Sequence, residues 1–318
     1  MNQDSIRARF GWRGVWSWLT SDVSDDSLDP IDDDRIDWPR AVPFIALHVG
    51  CLAIFWVGFS WTALAVCLGA YALRMFFITG FYHRYFAHRA FKTSRPFQLV
   101  MAALGCTAGQ RGPLWWAAHH RHHHGHADAH DDAHSPEQHG LLWAHTGWFL
   151  TRGNFATRWR FVRDWARYPE LRWLNRWDWV PLVVFAVALY GLGAALAAHA
   201  PRLGTSGPQL LVWGFFVSTV LVYHATYTIN SLAHAFGHRR FATRDSSRNN
   251  FWLSLITLGE GWHNNHHHYP ATVRQGFYWW ELDPTWYGLI ALSWIGLIRD
   301  LRRVPRAALQ RQRIDDGG

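Results

Sequence analysis

The chain has 318 residues, 49% of them hydrophobic and 16% aromatic, enough apolar surface for a large core, which excludes a disordered chain. Its formal charge is +8, and it carries 22 tryptophans, a residue suited to the water–lipid boundary, against a mean hydropathy of only −0.13. Cys51, Cys67 and Cys106 sit in apolar surroundings with no CxxC spacing, which excludes a disulfide framework and a thiolate metal site.

Residues 1–40 read as an N-terminal segment with no cleaved signal, because Arg13 interrupts the apolar stretch FGWRGVWSWL and no small-residue cleavage site follows. Phe10, Trp12, Val15, Trp16, Trp18 and Leu19 suit either a membrane surface or a buried terminal helix. Asp22, Asp25, Asp26, Asp29, Asp32, Asp33, Asp34 and Asp37 read as a solvated linker; a calcium loop of the EF-hand kind lacks its glycine and terminal glutamate here.

Two apolar runs follow, Val42 to Phe59 and Trp61 to Phe81, each near the roughly 20 residues that cross a bilayer. Gly58-Phe59-Ser60 leaves room only for a tight turn, so residues 41–81 are expected to form a hairpin. Arg74, late in its second helix, is expected to snorkel or reach water. Trp179 to Ala198 and Leu210 to Ile229 predict a second hairpin over residues 179–229. Arginine and lysine number thirteen in residues 82–178 and eleven in 230–318, against none and one in the two turns. Both segments, and the N-terminus with five, are therefore expected to face the cytosol. The predicted fold is an all-α integral membrane protein. Its four transmembrane helices form two hairpins and carry a cytosolic helical cap, residues 82–178 and 230–298, that holds a histidine-rich dimetal site. A basic tail, 299–318, follows. Trp286 to Ile298 is short for a span and is expected to lie along the interface.

The histidines gather in the cap. His119 to His134 packs eight of them into sixteen positions, with His120, His123 and His124 at the i, i+3, i+4 spacing of one helical face. A metal-buffering loop is the bland reading of such a run. Three further clusters weigh against it. YHRYFAH carries His83 and His88 five apart, about 140° around a regular helix, so either the helix breaks there or the two serve different metals. NSLAH places Asn230 and His234 at i, i+4, and GEGWHNNHHHYP repeats the first comb as His263, His266 and His267. Nine ordered histidines exceed the needs of one ion and suit two, and imidazole-rich donors with room for dioxygen favour redox-active iron over closed structural zinc.

Taken in order between paired spans, HRYFAH, HRHHH and HNNHH resemble the histidine boxes of the membrane-bound acyl desaturases of the stearoyl-CoA type, over roughly residues 42–285. Gly259-Glu260-Gly261 and His145-Thr146-Gly147-Trp148 agree with two further motifs of that family. The resemblance implies two iron ions held by His83, His88, His120, His123, His124, His234, His263, His266 and His267, with Asn230 acting through water. It also implies a bent acyl tunnel near Gln110, Trp116 and Thr226, with Arg152 at a basic substrate position. Arg158, Arg160, Arg163 and Arg167 suit either a phosphate-bearing carrier or anionic lipid. Ala118-His119 replaces the arginine and aspartate with which animal members meet the CoA head group, which leaves the substrate open between acyl-CoA and acyl-lipid. His119, His122, His126, His130, His134, His139 and His268 are expected to support ligands from outside or to lie on the surface, and Glu260 to support a ligand. His48, His199 and His224 are expected to be satisfied core or interface residues.

The implied reaction is oxygen-dependent introduction of a cis double bond, at position 9 for the family's best-matching branch, in a chain that reads as a bacterial, cytoplasmic-membrane member, since all basic residues but Lys92 are arginine. No ferredoxin-like cysteine run, GxGxxG turn or fused haem domain is present, so the resemblance implies electrons from a separate ferredoxin, cytochrome or reductase. Membrane lipid is an expected partner; nucleic acid is not. The alternatives are an alkane or fatty-acid hydroxylase on similar boxes, and a metal transporter with a histidine-rich loop.

Overall fold

The computed structural model describes Thr20 and residues 34–314; the readings placed on Phe10 to Leu19, on Asp22 to Asp33 and on the last four residues lie outside them. Four helices are long and apolar enough to cross a membrane: α1 (Trp38–Val57), α2 (Trp61–Ala87), then, after α3 (Arg95–Cys106), α4 (Pro113–His126) and α5 (Pro169–Arg176), α6 (Trp179–His199) and α7 (Gly207–Ala235). Short helices α8 (Phe251–Ile256) and α9 (His263–His268) and the apolar α10 (Pro284–Trp294) complete the cap. Among the described residues the only paired strand is two residues long, Lys92–Thr93 against Ile298–Arg299. The all-α membrane fold in two hairpins is the one that hydropathy predicts.

The helices start where local chemistry lets them. Gly58 takes φ +69°, a left-handed turn open to glycine, and Ser60 caps α2 by accepting from the Ala63 amide at 3.1 Å. Ser206 caps α7 in the same way, and Asp283 caps α10 through the Trp286 amide at 3.0 Å. Helices α1 and α6 expose most of their apolar side chains, as lipid-facing helices do, whereas α2 and α7 bury about half of theirs and continue into the cap.

Arg74 corrects the expectation of snorkelling. It is 1% exposed and points inward from α2, donating to the Thr107 carbonyl at 3.2 Å, to Thr219 Oγ1 at 2.7 Å and to Ser218 of α7. A bilayer offers no water to an arginine in mid-bundle, so hydroxyls and a carbonyl on neighbouring helices take its place and tie α2 to α7.

The cap is built on the C-terminal extension of α2. Phe81, Tyr82 and Phe86 from α2 pack with Leu114 of α4, Trp165 and Leu289 of α10 in one buried cluster. A Cβ on Gly105 of α3 would fall 2.2 Å from the Tyr82 ring, so only glycine lets α3 lie this close to α2. Of the stretch Trp286 to Ile298, the part to Trp294 lies in α10, whose 11 residues are too few to cross a bilayer, and Ile298 belongs to the strand pair; Trp294 and Ile295 are exposed.

Candidate metal centre

The last three turns of α2 are not α-helical. From Phe77 to Ala87 the backbone is π-helical, and the His88 amide donates to the His83 carbonyl, five residues back, at 3.1 Å. That register answers the question raised by the HxxxxH spacing. Residues five apart stack in a π-helix, and the His83 and His88 rings lie 4.8 Å apart.

The nine predicted histidines converge in two groups. His83, His88, His120, His124 and His266 form one and His123, His234, His263 and His267 the other, each offering donor atoms within 4.8 Å of one another. The combs are therefore shared between groups. In each box the i, i+4 pair (His120 with His124, His263 with His267) serves one group, and the i+3 residue (His123, His266) reaches the other. An α-helix turns about 100° between i+3 and i+4, so two ions on either side of the helix face account for the box better than one ion on a single face.

Within the first group the Nε2 atoms of His88 and His120 lie 2.8 Å apart, His120 and His124 3.0 Å, His124 and His266 2.9 Å, and His83 and His266 3.0 Å. In the second, His234 and His263 Nε2 are 3.1 Å apart. Imidazole bonds of about 2.1 Å at right angles put nitrogens about 3.0 Å apart, so the spacing fits a metal ion.

Proton placement supports the same fit. His123 Nδ1 donates to Asp132 Oδ2 at 2.9 Å, His267 Nδ1 to Asp245 Oδ2 at 2.9 Å, His83 Nδ1 to Glu260, and His234 Nδ1 lies 3.4 Å from Asp128 Oδ2 and 3.2 Å from Ser246 Oγ. A carboxylate can only accept, so each Nδ1 carries the hydrogen and Nε2 turns a lone pair inward. His267 Nε2 is buried with no protein partner, an orphan that a cation would satisfy. Despite burial, Asp132 is held far below the usual carboxylate range by His123 and His134, Asp245 by His267, and Asp128 by His234. Glu260 is lowered too, against burial, by His83 and Arg84.

The carboxylates are unequally shared. Three support the four-histidine group, whereas the five-histidine group has Glu260, itself bound to Arg84 Nη2 at 3.0 Å. Glu260 lies against His83, the placement that supporting a ligand would require. Asp128, Asp132, Asp245 and Arg84 went unread, although Asp128 and Asp132 lie inside the histidine-rich run.

Burial, then the neighbouring imidazoles, holds His88, His120, His124, His263 and His266 well below the ordinary value of 6.5 and, with Asp245 opposing, His267 at about 4. The unfolded chain takes up these protons near 6.5 and the folded metal-free chain only at lower pH. Between the two the unfolded state binds more protons, so stability rises with pH. Metal-free protein in detergent is thus expected to show a falling thermal midpoint as pH drops from about 7 to 5; a flat midpoint over that range would contradict it.

A cavity of about 540 Å³ adjoins the first group. His120, Asn230, Gln110, Trp116 and Thr226 border it, and its walls include Phe44, Leu47, Leu182 and Phe216 from the spans. Gln110 Nε2 donates to Thr226 Oγ1 at 3.0 Å and Trp116 Nε1 to Gln110 Oε1 at 3.4 Å, so the three predicted tunnel residues form one hydrogen-bonded set. Arg152 does not line this cavity; Arg40 and Arg111 do, on either side of the Phe155 ring at 3.5 and 3.9 Å from its centroid. Trp148 of the HTGW motif also borders it, while His145 contacts His224 Nδ1 at 3.0 Å and His224 contacts His48 at 3.0 Å, which satisfies two of the histidines in the spans. His199 is exposed at the end of α6. His134 shares Asp132 with His123, His119 meets the Ala156 carbonyl at 3.1 Å, and His268 stacks on Phe241; His130 and His139 are exposed.

Comparison with known proteins agrees with this geometry. Residues 38–292 match the fatty acid desaturase family. The chain is 34% identical over 288 residues to the sn-2 palmitoyl-lipid 9-desaturase of Nostoc sp. (strain 36), covering 85% of this chain and 92% of that protein. It is 35% identical over 271 residues to Delta-9 acyl-lipid desaturase 1 of Arabidopsis thaliana, covering 84% of each. It is likewise 35% identical over 281 residues to the chloroplastic palmitoyl-monogalactosyldiacylglycerol delta-7 desaturase of Arabidopsis thaliana, covering 87% of this chain and 71% of that one. With its spans, its two histidine groups and this coverage, the chain belongs to the fatty acid desaturase family, a family of oxidoreductases.

Proposed function

We propose that this protein introduces a cis double bond, at position 9, into a saturated acyl chain carried on a membrane lipid, with acyl-CoA the other carrier to test. The observation that carries the reading is the juxtaposition of two imidazole groups with a largely apolar cavity that reaches His120. The reaction consumes the two hydrogens of adjacent methylenes, dioxygen, two electrons and two protons, and yields the olefin and two waters. Two iron ions, held by the five- and four-histidine groups with Asn230 acting through water, would supply the oxidising power that no side chain has.

The chain's own part is positioning. Phe44, Leu47, Leu182 and Phe216 exclude water from the acyl chain, and the Gln110–Thr226–Trp116 set fixes the wall beside His120, so that one carbon pair lies next to the donor groups. Arg40 and Arg111, with Arg152 nearby, anchor a phosphate-bearing head group and so set which pair that is. The lipid carrier is preferred because Ala118 and buried His119 offer no charge for a nucleotide, and two of the relatives above are named for lipid substrates at position 9. The cap faces the cytosol of a bacterial membrane in this reading, which the thirteen and eleven basic residues of its two segments support. There a separate electron carrier docks.

Expression in a host that lacks unsaturated fatty acids, together with an electron donor, tests the reading. Position-9 olefins that require oxygen are expected in the lipid fraction by mass spectrometry; a hydroxylated chain without olefin would point to the hydroxylase instead. Leu47→Trp, which adds bulk inside the cavity, should shift preference to shorter chains, since each methylene excluded loses about 0.8 kcal/mol of burial, roughly fourfold in binding. Unchanged chain-length ratios in the product would remove Leu47 from the substrate path.

A further inference from the structure

Of the five histidines of the opening run that lie outside both groups, two form a pair of their own. His122 and His126 stand two positions on from His120 and His124, turned about 200° around α4 and so facing away from the imidazole groups. They form an i, i+4 pair, the spacing by which one helix face presents two imidazoles to one ion. Their rings stack at 4.4 Å and 19°. Asp131, from the loop after the helix, closes the set. Its Oδ2 lies 3.6 Å from His122 Nε2 and 3.5 Å from His126 Nε2.

The protonation of the pair is settled on one side. His126 Nδ1 is 2.9 Å from the His122 carbonyl, which can only accept, so Nδ1 carries the hydrogen and Nε2 is free to bind. Tetrahedral sites with metal–nitrogen bonds of about 2.1 Å have ligand edges of about 3.4 Å, close to both Asp131 contacts, and all three ligand atoms lie within 4.8 Å of one another, so small side-chain rotations close the set. Arg158 opposes a cation at His122, but its guanidinium donates to Asn154 Oδ1 at 3.0 Å, and Asp131 and Asp132 offset its charge.

We propose that His122, His126 and Asp131 form a third metal site, separate from the two histidine groups, for a divalent first-row transition ion of the zinc kind. Two imidazoles and one carboxylate disfavour calcium and magnesium, which take oxygen ligands, and suit a borderline divalent ion better than soft copper(I), which sulfur ligands select. Asp131 and His126 are partly open to solvent, leaving a fourth position for water. The site joins the end of α4 to the loop that carries Asp128 and Asp132, the carboxylates that hold His234 and His123. Its ion therefore fastens the loop that supports the four-histidine group. The inference does not depend on the reaction proposed above.

The test uses the full chain in detergent, loaded with iron and titrated with zinc, with both metals counted by mass spectrometry after desalting. One zinc per chain is expected with iron unchanged. His126→Ala and Asp131→Asn should each weaken that zinc by roughly tenfold or more while retaining iron, and His130→Ala, an exposed neighbour, should leave it intact. Zinc that displaces iron one for one, that survives both substitutions or that disappears with His130→Ala would overturn the third site, as would no extra zinc at all.

Discussion

Replacing Arg84 with methionine is expected to destabilise the cap by about 3–5 kcal/mol, the usual cost of removing one partner from a buried ion pair. Arg84 is 1% exposed, donates through Nη1 to Asp283 Oδ2 at 3.0 Å and the Val273 carbonyl at 2.8 Å, and reaches Glu260 and Asp283 Oδ1 through Nη2 at 3.0 and 2.9 Å. Without it two carboxylates remain buried. One of them, Asp283, also caps α10 and accepts from the Gln275 amide at 2.7 Å; the other orients His83. The damage should therefore appear twice, as a lowered thermal midpoint in detergent and as weakened metal retention. Arg84→Lys should fail to restore either, because an ammonium cannot span both carboxylates as a planar fork does. Adding Glu260→Gln to Arg84→Met should recover part of the midpoint but not the metal. A variant Arg84→Met with wild-type midpoint and metal content would show that the cap does not hang on this ion pair.

Asp132→Asn is expected to weaken metal binding by about 10–100-fold, the range found when a carboxylate behind a ligating histidine is removed. Asp132 is wholly buried and shared, with Oδ2 on His123 Nδ1 and Oδ1 on His134 Nδ1 at 2.7 Å. The amide preserves the shape but lacks the charge that raises His123 above its ordinary value against the effect of burial. Because His123 belongs to the four-histidine group, the loss should fall on one of two ions. Metal titration should show one tight and one weakened site, and Asp245→Asn, acting through His267, should weaken the same one. Two sites of unchanged affinity would mean that these carboxylates are bystanders.

Much of this was readable in the sequence, for a physical reason: long apolar runs and i, i+3, i+4 histidine combs are periodic signals, and periodicity is what a sequence carries directly. The full set of nine histidines came with the family resemblance, but the four helices, the turn at Gly58 and the two combs follow from periodicity. The pairing of His83 with His88 did not, because the spacing was read on an α-helix and the chain is π-helical there. Nor did the division into five and four. The i, i+3, i+4 spacing shows one helical face but not which ion each residue serves, and His123 and His266 cross over to the other group. Arg74 was assigned to water because hydropathy sees one helix at a time; its partners Thr219 and Ser218 lie on another. Arg40 and Arg111 escaped notice at the cavity for the same reason, since their approach to Phe155 is a tertiary fact.

Nine imidazoles fall in two groups, and X-ray absorption at the iron edge of purified, iron-loaded protein measures whether they are divided over two ions. Two irons per chain are expected, each in a shell dominated by imidazole nitrogen, with nine such nitrogens shared between them. One iron per chain, or a shell in which sulfur or carboxylate oxygen outnumbers imidazole, would contradict that division.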